Sequence, residues 1–159
     1  MPTCYLRDVP TPSLFTPSDL EALLARVRGL SPSAKALWGK MDVAQTMAHL
    51  NVALHAALGD TKLDRVLLGY LFGGLARKGA LGEKPFGKGL PTAKSYVIRD
   101  ARDFATEQAQ VLALVERLGR GGPGAITTHP HPFFGALTPA EWDVLMWKHL
   151  DHHLRQFGA

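Results

Sequence analysis

Residues 142–157 read WDVLMWKHLDHHLRQF, and both the fold class and the chemistry turn on how this stretch is read. Its apolar residues recur at helical spacing, and Thr138, Pro139 and Glu141 just before it form an N-terminal cap signature. The pattern predicts a closing helix that runs to about Phe157. On such a helix His149 and His153 diverge by only about 40° and stand roughly 6 Å apart, within reach of one shared ion. Two neutral imidazoles on one helix face make half a metal site. His152, three positions after His149, is the alternative partner, but it points about 100° further round than His153, so the i, i+4 pair is preferred. The spacing alone is not specific, because histidines also serve as hydrogen-bonded core residues.

Three further helices follow from the same reading. Thr16 and Pro17 open a first one in which Leu20, Leu23, Leu24 and Val27 recur until Gly29. Asp42 and Gln45 make a capping-box pattern for a second, with Val43, Met47, Leu50, Leu54 and Leu58 as its apolar face and Gly59 as its stop. Asp103 caps a third long helix, striped by Phe104, Val111, Leu112, Val115 and Leu118, which ends in the glycine cluster of residues 119–124. Between the second and third of these long helices, residues 63–75 suit a shorter helix weakened by Gly69, Gly73 and Gly74, glycines that suggest close backbone packing. The following GALGEKPFGKGLPTAKS, residues 79–95, reads as an irregular surface crossover. No segment alternates with period two over a convincing length. The expected fold is therefore all-α, a four-helix bundle with one long crossover between its second and third helices, in a single domain spanning residues 1–159.

Composition restricts the function classes. A chain of 159 residues that is 46% hydrophobic can bury a real core without staples. The one cysteine, Cys4, excludes both a disulfide framework and a zinc–thiolate cluster, so any metal must sit on N and O ligands. The first residues lack a charged start followed by an apolar run, and no stretch has the roughly 20 apolar residues that span a bilayer. A cytoplasmic, soluble protein with no membrane partner is expected. The net charge of +4 is concentrated between Lys62 and Arg99, which suits either a solvated connector or an anionic ligand. Aromatics in that segment are too scattered for a stacking platform, which argues against nucleic acid. A homodimer is the commonest closed assembly, supported if a helix face is left apolar and exposed.

A third metal ligand should come from another helix, and His49 is the best candidate, since Ala53 and Ala56 on nearby turns leave space beside its ring. His55 lies about 120° round the same helix and is less suited to converge. In the loop HPHPFFG, residues 129–135, His129 and His131 would line the mouth of the site or, with Phe133 and Phe134, plug the end of the bundle. Trp38, Trp142 and Trp147 are most simply core or pocket wall.

The segments KMDVAQTMAHL (40–50), GYLFGGLARK (69–78), KGLPT (88–92), HPFFGALTPAEW (131–142) and HLDHHLRQFG (149–158) together resemble the DinB/YfiT-like superfamily of metalloenzymes, in an uncharacterised branch ending in this histidine-rich helix. The resemblance covers most of the chain from about Trp38 and implies a four-helix bundle with a crossover. It also implies a metal held by one histidine of the second helix and a pair on the last, here His49, His149 and His153. Characterised members of the superfamily include transferases and isomerases that use low-molecular-weight thiols such as mycothiol or bacillithiol, with nickel or zinc. Three neutral imidazoles leave a divalent ion its full charge, so the expected activity is that of a metal-dependent enzyme activating water or a thiolate, transferase-like or hydrolase-like. The alternative is a non-catalytic metal-binding or stress-related binding protein, favoured if His129 or His131 closes the shell. No general base is evident, because Asp151 should point away from the pair and Glu141 lies at the start of the helix. Arg77, Lys78, Lys84 and Lys88 are the candidates for holding an anionic thiol cosubstrate or other anionic small molecule.

Overall fold

The computed structural model describes residues 11–90 and 93–159; Cys4 and the last two residues of the KGLPT segment lie outside them. Among the described residues the chain has five α-helices and no strand: α1 (Pro17–Arg28), α2 (Val43–Leu58), α3 (Leu67–Leu81), α4 (Phe104–Gly121) and α5 (Pro139–Gln156). Short 3-10 turns occupy Lys94–Tyr96 and Gly122–Ala125. None of the helices is long and apolar enough to cross a membrane.

The helix starts follow their caps closely. Asp42 accepts from the Gln45 amide at 2.8 Å while the Gln45 side chain accepts from the Asp42 amide at 3.1 Å. Thr138 and Glu141 make the same reciprocal pair on α5. Each such cap stabilises its helix by about 1 kcal/mol through donors that would otherwise go unpaired. Thr16 stands at the N-cap of α1 without a side-chain bond, so there Pro17 alone sets the entry. Gly59 closes α2 in the left-handed region at φ 77°, a conformation that a side chain opposes.

α2 packs against α4 and α5, and α1 against α4 and α5. Their shared core includes Leu23, Leu24 and Val27 of α1, Met47, Leu50 and Leu54 of α2, Val111, Val115 and Leu118 of α4, and Trp142, Leu150 and Leu154 of α5. Burying each such leucine stabilises the fold by about 1.5–3 kcal/mol at most. Polar ties fix the register of this core. Asp143 accepts from the Ser13 hydroxyl at 2.6 Å and the Leu14 amide at 2.8 Å, Arg26 pairs with Asp151 at 2.9 Å, and Asn51 donates to the Glu107 carboxylate at 2.8 Å.

The short helix differs from the expected residues 63–75. α3 begins at Leu67, after Val66 in extended conformation, and continues past Arg77 and Lys78 to Leu81. The glycines do not break it, because Gly69 and Gly73 are its contact face. A Cβ at Gly69 would stand 2.6 Å from the Phe133 carbonyl oxygen, and one at Gly73 would overlap the same atom, whereas Gly74 and Gly79 have nothing within 4 Å. α3 rests on α5 and on the 131–135 loop, and its large apolar residues face outward.

Candidate metal centre

α2 and α5 bring His49, His149 and His153 together. One nitrogen from each lies within 4.8 Å of the others, and no carboxylate or further histidine joins them among the described residues. His49 and His153 are buried and His149 is partly exposed. The His49 and His149 Nε2 atoms stand 2.9 Å apart, and the His153 ring lies 4.8 Å from the His49 ring and 5.0 Å from the His149 ring.

The hydrogen bonds around the rings decide which nitrogens remain free. His49 Nδ1 lies 2.8 Å from the Tyr96 carbonyl oxygen; a carbonyl only accepts, so Nδ1 carries the proton and Nε2 keeps its lone pair. His153 Nδ1 lies 2.7 Å from Gln156 Oε1. The Gln156 amide is itself oriented by donation from Nε2 to the Trp38 carbonyl at 2.7 Å, so His153 also donates from Nδ1 and keeps its Nε2 lone pair. Burial holds all three rings below the ordinary histidine range: His49 is lowered despite the opposing bond to Tyr96, His153 falls to about 3, and His149 lies well below 6.5, with the neighbouring imidazoles adding to burial. Three neutral imidazoles with converging nitrogens, two of them with the second nitrogen hydrogen-bonded, are the donor set of a first-row divalent ion. A tetrahedral ion at about 2.0–2.1 Å from each nitrogen would space them by about 3.3 Å. The observed spacing brackets that value, so the residues fit the ion.

Gln156 and the Tyr96 carbonyl escape a sequence search for ligands, although Gln156, three residues after His153 on the same helix face, could have been flagged by its spacing. Removing the Gln156 amide should free the His153 ring. Gln156→Leu is expected to weaken zinc affinity by about 10–100-fold, as read by competition with a chromophoric chelator; an unchanged affinity would show that Gln156 does not orient the ligand.

The other histidines lie elsewhere. His152 faces the Phe86 carbonyl and stands 5.7 Å from Trp38, ring to ring. His55 pairs with Asp60 at 2.9 Å on the outer side of α2. His131 Nδ1 accepts from the amides of Phe133 and Phe134 at 3.1 Å each, and its ring stacks on Phe134. Burial pushes its pKa down to about 4. The loop thus folds about His131, and His129 likewise lies outside the donor set.

Of the four proposed anion-binding residues only Lys88 reaches the neighbourhood of the triad. Its ammonium lies 4.3 Å from the centroid of the Trp38 ring, next to His152. Arg77 is ion-paired with Glu141, eight residues and therefore about 12 Å along α5 from His149. Lys78 and Lys84 are exposed. A different cation, on α5, adjoins His149 in sequence. Lys148 donates to the Ala80 and Gly82 carbonyls at 2.6 Å each and stands 5.0 Å from the Phe86 ring, which is 6.4 Å from that of His149. Burial lowers its pKa. Asp151 turns to Arg26 and Arg155, away from the triad.

A family model described as protein of unknown function (DUF1569) matches residues 12–159. No curated protein and no solved structure matches the chain. The likeness to the DinB/YfiT-like superfamily accordingly rests on the quoted segments alone.

Proposed function

We propose, for a chain that belongs to the DUF1569 family, that His49, His149 and His153 hold a divalent ion, zinc or nickel, and that the site is catalytic. The observation that carries this reading is the donor count: three nitrogens converge, and His129, His131 and His152 stay out of the set. Three protein ligands leave room for water or substrate, whereas structural sites close with four. Of the three residues His149 alone retains some solvent exposure, although its ring is buried.

A bound divalent ion would supply Lewis acidity, making a water or thiol acidic enough to act as a nucleophile near pH 7. The chain's own residues would do the rest. Tyr96 and Gln156 hold two rings in the ligating tautomer, and Lys148 anchors the end of α3 beside Phe86. Lys88, next to Trp38, is suited to an anionic group on the substrate. Among the described residues no carboxylate joins the triad to serve as a general base, which favours thiol transfer over hydrolysis, since a thiolate needs no further base once formed. The resemblance to thiol-using members of the DinB/YfiT-like superfamily points the same way by analogy.

The test is metal-dependent consumption of a low-molecular-weight thiol with a panel of electrophiles, using untagged protein reconstituted with zinc or nickel. Activity lost on chelation and regained on metal addition is expected. Stoichiometric metal without turnover on the panel would leave the non-catalytic metal-binding reading in its place.

A further inference from the structure

α3 is packed inside out. At about 100° per residue, Leu67, Leu71 and Leu75 form one outward row, with Lys78 continuing it, while Gly69 and Gly73 face the protein. Leu67 and Leu75 are 76% and 77% exposed, and Leu68, Tyr70, Leu71 and Phe72 are exposed beside them. These six side chains present on the order of 700–900 Å² of largely apolar surface, more than the largest patch on a typical monomer, roughly 300–600 Å². One partner of a standard protein–protein interface contributes about 800 Å².

We propose that this face pairs with its counterpart on a second copy of the chain, two α3 helices running antiparallel about a twofold axis at Leu71. Four observations select that occupant. The area is that of half a standard interface. In an antiparallel pair centred on Leu71, Leu67 meets Leu75 of the second copy, and Leu68 meets Gly74, where a Cβ would have nothing within 4 Å. Asp64, three residues before the helix, and Lys78 near its far end put opposite charges beside the two ends of the row, and an antiparallel pair brings those ends together on both sides of the axis. Both residues are exposed, and neither enters an ion pair among the described residues. An anionic membrane suits the face less well. Exposed Lys62, Lys78 and Lys84 are offset by exposed Asp64 and Glu83 at the two ends of the helix, Arg77 is taken by Glu141, and Arg65 lies over the Tyr70 ring at 4.0 Å. The assembly requires no metal, so its test is independent of the proposed activity.

Sedimentation equilibrium of the full chain at micromolar concentration should give a dimer. Leu71→Asp, which sets two carboxylates against each other on the axis, should raise the dissociation constant more than about a hundredfold with an unchanged circular dichroism spectrum. Lys78→Asp should weaken the dimer by about tenfold, and adding Asp64→Lys should restore it. A monomeric wild type, a dimeric Leu71→Asp variant or a double exchange that fails to restore association would overturn the pairing. So would flotation of a monomeric wild type with phosphatidylserine vesicles, lost in Leu71→Asp, which would assign the face to a lipid surface.

Discussion

Alanine in place of His49 is expected to leave the protein without stoichiometric divalent metal. His49 alone carries the contribution of α2 to the donor set; the other two ligands lie on α5. Two imidazoles one turn apart on a single helix are a weak pair, and the third nitrogen from across the helix interface makes the site a chelate whose geometry the core enforces. Loss of an outer-shell partner costs about 10–100-fold in affinity, so loss of a ligand should exceed about a hundredfold. The ring is also buried and its Nδ1 donates to Tyr96, so truncation orphans a carbonyl, and stability must be followed in parallel. His55→Ala, on the outer side of the same helix and paired with Asp60, is the matched control and should keep full metal content. Elemental analysis of untagged wild type and both variants reads the result. Equal metal in wild type and His49→Ala would remove the triad as the site.

What the sequence discloses here is what local chemistry controls. Asp42 with Gln45 and Thr138 with Glu141 locate two helix starts because a cap is decided by residues three apart. The i, i+4 spacing of His149 and His153 survives folding because helix geometry is rigid. His49 can be nominated from its small neighbours, but its partnership with α5 depends on packing between helices a hundred residues apart. The Tyr96 carbonyl leaves no trace at all, since every residue has one. The basic segment misleads for a related reason: a run of cations says nothing of direction. Arg77 turns to Glu141, Lys78 faces outward, and Lys88 alone comes beside Trp38. Lys148, the cation held by a pair of carbonyls near the triad, lies inside the decisive stretch, where periodicity marks it only as part of a helix.

The glycines of α3 show most sharply how direction overrides propensity. In an exposed helix interior, alanine is favoured over glycine by about 1 kcal/mol. Gly79→Ala should gain up to that amount, because nothing lies within 4 Å of a Cβ there. Gly73→Ala should do the opposite. The new methyl would overlap the Phe133 carbonyl oxygen, and its nearest neighbours are all backbone atoms of Phe133 and Phe134, so no side-chain rotation relieves the contact. Either α3 lifts from the 131–135 loop or the loop moves away from α5, at a net cost of about 1–3 kcal/mol as in overpacked cores. Because α3 contacts the rest of the protein mainly through α5 and this loop, the damage should be local. Amide hydrogen exchange along Leu67–Leu81 should accelerate more than exchange in α2 or α4, alongside a lowered melting temperature. The Ala80 and Gly82 carbonyls that hold Lys148 sit at the end of the same helix, so the disturbance runs toward His149 without touching a ligand. If Gly73→Ala instead matched Gly79→Ala in sign, the glycine face of α3 would be a tolerated weakness of the helix and not its means of docking.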